Sequence, residues 1–168
     1  MKKIFIALSF AASFFIISCN GGSKSSTEST KDSTSAGTPS TSTSTVAVSN
    51  TIQISANDQM KFSTNELRVK ANEKVTLTMK NEGTQPKEAM GHNFVLLKDG
   101  TDLATFAASA IQAPDHIPAN DPAIVAHTKL LGPGESETIE FTLPAGSYTF
   151  ICSFPGHYLT MTGTLTAE

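Results

Sequence analysis

The chain has no tryptophan and only two cysteines in 168 residues. So few cysteines exclude a disulfide-dense scaffold. Charge is scarce as well: Asp, Glu, Lys and Arg make up 16% of the chain and the formal net charge is only -3. That balance argues against a basic surface for nucleic acid or anionic lipid as the main function. No apolar run reaches the roughly 20 residues that a helix needs to cross a hydrocarbon core. The length suits one domain with additions and not a large multi-domain enzyme. Hydrophobic residues reach 39%, and with so few charges part of the chain must be neither core nor charged surface.

What is present begins with an export signal. Lys2 and Lys3 precede residues 4–17, IFIALSFAASFFII, an uncharged stretch of signal-peptide length. It ends at Ser18-Cys19, and Ile16-Ile17-Ser18-Cys19 resembles the bacterial lipoprotein cleavage box. Residues 1–18 are therefore expected to be a lipoprotein signal peptide, with Cys19 lipidated after cleavage. A plain secretory signal with an incidental thiol is the alternative. Two or three acyl chains would fix the protein firmly, because a single chain binds only marginally. Residues 20–45 contain nine Ser, seven Thr and no aromatic residue. Such a stretch cannot bury enough surface to offset its ordering entropy. Residues 19–47 are read as the lipidated cysteine and a disordered linker, whose r.m.s. span would be roughly 25–30 Å. O-glycosylation is the other use of such a stalk.

Residues 48–168 read as one β-rich domain. Val75, Leu77 and Met79 alternate with Thr76, Thr78 and Lys80. Ile139, Phe141 and Leu143 alternate with Glu140 and Thr142, and Tyr148, Phe150 and Cys152 share one face of a third strand. Further strands are expected near 51–56, 66–70, 93–97 and 161–166. Gly and Pro punctuate them, as in Gly132-Pro133-Gly134 and Pro155-Gly156. Many short strands with turn signals between them indicate an antiparallel sandwich or barrel. Residues 101–113 instead carry helix formers, which predicts one short helix in an insertion.

The chemistry concentrates near the C-terminus, where Cys152, His157 and Met161 bracket the Pro155-Gly156 turn. Cys152 ends one strand and Met161 starts the next, so the loop between can bring a thiolate, an imidazole and a thioether together. His92, in Met90-Gly91-His92-Asn93, offers a second imidazole. Each residue has a bland alternative: a buried small hydrophobe for Cys152, an ordinary surface or core histidine for His92 and His157, core packing for Met161. An unpaired thiol in an exported protein is uncomfortable, because thiols there oxidise or pair. One Cys, two His and a distant axial Met form the ligand set of blue copper. Zinc is the nearest rival, but zinc rarely takes Met as its fourth ligand.

Residues 50–168 resemble the azurins, within the cupredoxin family. The resemblance is carried by Asn57-Asp58-Gln59-Met60, Met90-Gly91-His92-Asn93, Ala126-His127-Thr128-Lys129-Leu130, Cys152-Ser153-Phe154-Pro155-Gly156-His157 and Met161. It implies an all-β, eight-stranded Greek-key sandwich or barrel with one short helical flap at about 100–125. It implies a single copper held by His92, Cys152 and His157, with Met161 axial and the Gly91 backbone carbonyl opposite. It further implies that the backbone amides of Asn93 and Phe154 hydrogen-bond the Cys152 sulfur, and that Asn93 ties the two ligand loops together. Met60, Met90, Phe154, Pro155 and Tyr158 are the candidates for an apolar docking patch, with core packing the alternative for the two methionines. The chain departs from the pattern in lacking the family's disulfide, in Phe94 at a site of buried Trp, in Asn81 at the site of a titrating His, and in Tyr158 after His157. His127 reads as a surface histidine, and His116 receives no role.

The implied function is one-electron transfer through a type 1 copper centre cycling Cu(II)/Cu(I), without bond-making on a substrate. The protein is thus expected not to be an enzyme, since a copper nitrite reductase needs a second copper centre with further histidines. Copper buffering or delivery in the envelope is the alternative function, and an adhesion sandwich with a vestigial site is a third. Expected partners are redox proteins such as c-type cytochromes or terminal reductases and oxidases, with neither nucleic acid nor a small-molecule substrate. The expected location is the bacterial cell envelope, exported and lipid-anchored.

Overall fold

The computed structural model describes residues 46–168. The signal segment 1–18, Cys19 and all but the last two residues of the linker lie outside the described residues. Nine strands form two sheets: β1 (Thr51–Asn57), β2 (Lys61–Phe62), β3 (Glu66–Val69), β4 (Lys74–Asn81), β5 (Val95–Lys98), β6 (Ile124–His127), β7 (Ser136–Thr142), β8 (Gly146–Ile151) and β9 (Thr162–Ala167). One sheet has the order β2-β1-β4-β7 and the other β3-β9-β8-β5-β6. The sandwich expected from the period-two patterns is therefore present, with the two-residue β2 as an extra strand. It pairs antiparallel with the end of β1 through Ala56 opposite Phe62 and Asn57 opposite Lys61. Pairing is not wholly antiparallel. β1 runs parallel to β4 and β3 runs parallel to β9. The chain passes through β3 in the opposite sheet before β4 returns beside β1, and such a crossover leaves neighbours parallel.

The inward residues fill the space between the sheets as the alternation requires. Ile52, Ile54 and Ala56 of β1 and Val75, Leu77 and Met79 of β4 are buried and pack with Leu67, Val69, Phe150 and Leu165 of the other sheet. Phe94 is fully buried, stacked on Phe150 with centroids 5.2 Å apart and edge-on to Phe62. β6 escaped the sequence reading because Ile124, Val125 and Ala126 are all only half-buried and do not alternate.

The expected helix at 101–113 is shorter in the fold. α2 (Leu103–Ala110) starts where the Asp102 carboxylate accepts the Thr105 N–H at 2.6 Å. Pro114 disfavours helical backbone at the preceding residue, and Ala113 is extended. Phe106 of α2 packs on Val95, Leu97 and Ile151. The outer face of β8 and β5 is thereby covered, which is why Ile151 is buried although it faces away from the main core. A second helix, α1 (Lys87–Met90), has a single turn and too short a pattern to be read from sequence.

β8 and β9 cross closely at Gly163. A Cβ there would collide with the Phe150 ring and lie 2.5 Å from the Asn65 carbonyl. Gly163→Ala should therefore destabilise the apoprotein by about 1–3 kcal/mol through overpacking. Urea unfolding checks this, and an unchanged midpoint would refute it.

Candidate metal centre

His92 is placed by close packing around it. α1 ends at Met90, and Gly91 turns the chain out with extended backbone. A Cβ on Gly91 would sit 2.6 Å from the Lys87 carbonyl and 2.9 Å from the Leu130 side chain, so only glycine fits. His92 then forms a bridge with Leu131: its N–H donates to the Leu131 carbonyl at 3.1 Å and its carbonyl accepts the Leu131 N–H at 2.8 Å. Upstream, the Asp58 carboxylate accepts the Thr84 N–H and hydroxyl at 2.9 Å and the Gln85 N–H at 3.4 Å. Asn81, buried, accepts the Gly83 N–H and donates to the Leu131 carbonyl. The loop that delivers His92 is thus pinned at both ends, in part by the neutral Asn81 amide.

Cys152 and His157 come from the other side. The Cys152 N–H donates to the Met161 carbonyl at 3.0 Å, which extends the β8–β9 pairing by one step. Between these residues the chain reverses through Gly156, at φ 82°, into a single 3₁₀ turn over His157–Leu159. The His157 N–H donates to the Phe154 carbonyl at 3.0 Å and the Met161 N–H to the His157 carbonyl at 2.8 Å. Asn93 joins the two halves. Its Oδ1 accepts the Ser153 N–H at 2.8 Å and its Nδ2 donates to the Ser153 hydroxyl at 2.9 Å.

Three donor atoms converge as a result. The ligand atoms of His92, Cys152 and His157 lie within 4.8 Å of one another, and all three residues are buried. Nδ1 of His157 is 3.5 Å and Nδ1 of His92 is 3.9 Å from the Cys152 sulfur. The two imidazole rings are 5.1 Å apart. Burial sets the protonation of all three. It pushes His157 down to about 4, with the neighbouring His92 and His116 adding to the effect. It lowers His92 too, against an opposing pull from the Asn57 carbonyl and Asp58. It raises the Cys152 thiol to about 11, although the N–H groups of Asn93 and Phe154 donate towards the sulfur and oppose the rise. Both imidazoles are therefore neutral at pH 7, with lone pairs free, and the thiol must release its proton when it takes a metal.

The fit to copper rests on this donor set. A buried N, N, S constellation joins borderline imidazole nitrogen to soft sulfur. Met161 is fully buried beside Cys152 in the core, and Gly91 lies buried next to His92. Of the apolar patch residues, Pro155 is exposed, Met60 is 36% exposed, and Met90, Phe154 and Tyr158 are half-buried. The two methionines are therefore not core residues. Sequence reasoning missed Leu159, whose side chain is 71% exposed two residues after His157. An isolated Leu in a loop carries no periodic signal. It also missed Thr128, buried, whose hydroxyl accepts the Phe94 N–H at 3.0 Å, and the anchoring role of Asp58.

Comparison with known proteins agrees with this geometry. Residues 47–168 match the family described as copper binding proteins, plastocyanin/azurin family. Azurin of Pseudomonas denitrificans is 41% identical over 125 residues, spanning 70% of this chain and 98% of that protein. The chain belongs to the plastocyanin/azurin family. Outer membrane protein H.8 of Neisseria gonorrhoeae is 40% identical over 119 residues, 67% of this chain and 64% of that protein. Among solved structures, dithionite-reduced auracyanin from Roseiflexus castenholzii matches with a TM-score of 0.67 and 38% identity, over 73% of this chain and 99% of that one. As a cupredoxin with a His92-Cys152-His157 centre, the protein is a type 1 copper electron carrier.

The raised thiol gives a measurable consequence. At pH 8, Cys152 of the native apoprotein should react with iodoacetamide about a hundredfold more slowly than in the urea-unfolded chain, since a free thiol ionises near 8.5. Mass spectrometry of the Cys152 peptide reads the rate. Equal rates in the two states would mean that the thiol is neither buried nor held protonated.

Proposed function

We propose that His92 Nδ1, His157 Nδ1 and Cys152 Sγ would hold copper, with the Met161 thioether and the Gly91 carbonyl as weaker donors. The observation that carries this is the convergence of two neutral imidazoles and a thiol in a buried, hydrogen-bonded frame. Copper held there supplies a reversible one-electron change between Cu(II) and Cu(I). The residues do the rest. The bridge at Leu131, the Asn93 clamp and the short His157–Leu159 turn keep the ligands from moving when the charge changes, which keeps reorganisation small. The N–H groups of Asn93 and Phe154 withdraw electron density from sulfur and raise the potential. Copper delivery, the other use of such ligands, is favoured by an accessible site, and burial of all three residues favours the carrier.

The wider reading extends from this centre. Met60, Met90, Pro155 and Tyr158, joined by Leu159, form an apolar docking surface around the His157 loop. Such a surface suits brief contact with several partners at the small end of interface sizes. In residues 48–168 acids exceed bases by 13 to 8, which suits a cationic redox partner such as a c-type cytochrome, with terminal reductases or oxidases as further candidates. Residues 48–168 act as the carrier domain, and residues 19–47 tether it through lipidated Cys19 after loss of 1–18. The Ser18-Cys19 box supports this placement in the bacterial envelope, as does likeness to a protein named for the outer membrane.

Addition of Cu(II) should produce an intense visible band from sulfur-to-copper charge transfer. Cys152→Ser should abolish it without unfolding the protein. Met161→Leu should keep the colour and raise the potential, because loss of a weak donor disfavours Cu(II) more than Cu(I). A colourless Met161→Leu protein that still binds copper would overturn the axial assignment, and no band in the wild type would overturn the centre.

A further inference from the structure

His116 lies in the segment that follows α2, far from the ligands in sequence. It sits in an unusual piece of backbone. Asp115 and His116 are consecutive and both left-handed, at φ 51° and 58°. Non-glycine residues adopt this conformation uncommonly, although Asp and His do so more readily than most, and two in succession need surroundings that impose it.

The surroundings here are the two ligand loops. Asn93 Nδ2, next to His92, donates to the Asp115 carbonyl at 3.1 Å. The Ser153 hydroxyl, next to Cys152, donates to the His116 carbonyl at 2.7 Å. Lys87 of α1 adds a loose ion pair with Asp115 at 3.7 Å. Beyond the turn's own local hydrogen bonds, its two carbonyls are gripped by residues that stand next to ligands. The side chain of His116 completes the arrangement. Its Nδ1 is 3.3 Å from the Ala110 carbonyl at the end of α2, which fixes the ring. The ring then meets Phe154 edge-on, with centroids 5.0 Å apart and planes at 79°. Phe154 in turn lies 4.6 Å from the His157 ring. Phe154 is half-buried and sits in a loop, so it needs a neighbour on its outer side to stay in place.

We propose that His116 is a positioning residue of the metal centre: its ring, held by the strained turn that Asn93 and Ser153 grip, presses Phe154 against His157. Phe154 contributes both a ring on His157 and an N–H towards the Cys152 sulfur. A loose Phe154 loses both, so His116 sets the potential and the copper retention of a site that it does not touch. The inference rests on the copper reading of the centre. The flap thereby becomes part of the site and not merely a cover for the sheet.

Two variants isolate the ring. His116→Ala and His116→Phe are equally ill suited to φ 58°, so their backbone strain is comparable and only the first removes the aromatic edge. H116A should lower the midpoint potential and release copper to a chelator about ten times faster than wild type. H116F should return both towards wild type. Phe106→Leu, which loosens α2 without touching Phe154, should lower thermal stability and leave the potential unchanged. In the apoprotein, Cys152 alkylation should be faster in H116A than in wild type, a readout that does not depend on copper. An H116A protein with wild-type potential and alkylation rate would overturn the proposal, as would a potential in F106L lowered as far as in H116A, or an H116F protein that behaves as H116A. Failure of the wild type to bind copper, with the alkylation difference intact, would overturn the copper reading and leave the positioning of Phe154 standing.

Discussion

The structure turns on keeping two imidazoles and a thiol together, out of water, with no charge to hold them. Between neutral donors only weak contacts act directly, the Cys152 sulfur lying 3.5 and 3.9 Å from the two Nδ1 atoms. Position must come from the backbone. The His92–Leu131 bridge, the Cys152–Met161 hydrogen bond and the Asn93 amide provide it from three directions. The His92–Leu131 bridge and the Asn93–Ser153 bonds join segments distant in sequence, so the centre exists only once those segments have come together.

Burial serves chemistry as well as placement. It keeps His92 and His157 neutral and holds the Cys152 proton. The free protein therefore waits in a state where two lone pairs are available and one proton must leave. The same rigid frame that creates this state limits movement when a bound metal changes charge. Stability and function draw here on one set of hydrogen bonds, and Phe94 stacked on Phe150 closes the core directly beneath. Among the described residues Cys152 is a free thiol. The sandwich relies instead on continuous apolar packing from Ile52 to Leu165.

Much of the fold was legible in advance because a half-buried strand writes its facing into alternate residues. β4, β7 and β8 read clearly for that reason. β6 did not, because Ile124, Val125 and Ala126 are all half-buried and do not alternate, and β2 is too short for any period. The parallel pairings β1–β4 and β3–β9 could not be read at all, since alternation reports which side of a strand is buried and not which strand lies beside it. α2 was visible, but its limits came from the Asp102 cap and from Pro114.

The sequence by itself determined the donor set. Cys152, His157 and Met161 stand at spacings that one loop can close, His92 offers a second imidazole, and the resemblance to a known family adds Gly91 and Asn93. It also carries a charged start, an apolar run and a polar Ser/Thr-rich stretch, which are matters of composition. Only the tertiary structure decided what surrounds the donors. That His116 braces Phe154, that Asp58 anchors the His92 loop and that Leu159 stands exposed beside His157 depends on packing between distant segments. A hydrogen bond or ring contact leaves no period in the chain, because its geometry is fixed by the fold and not by the spacing of its partners.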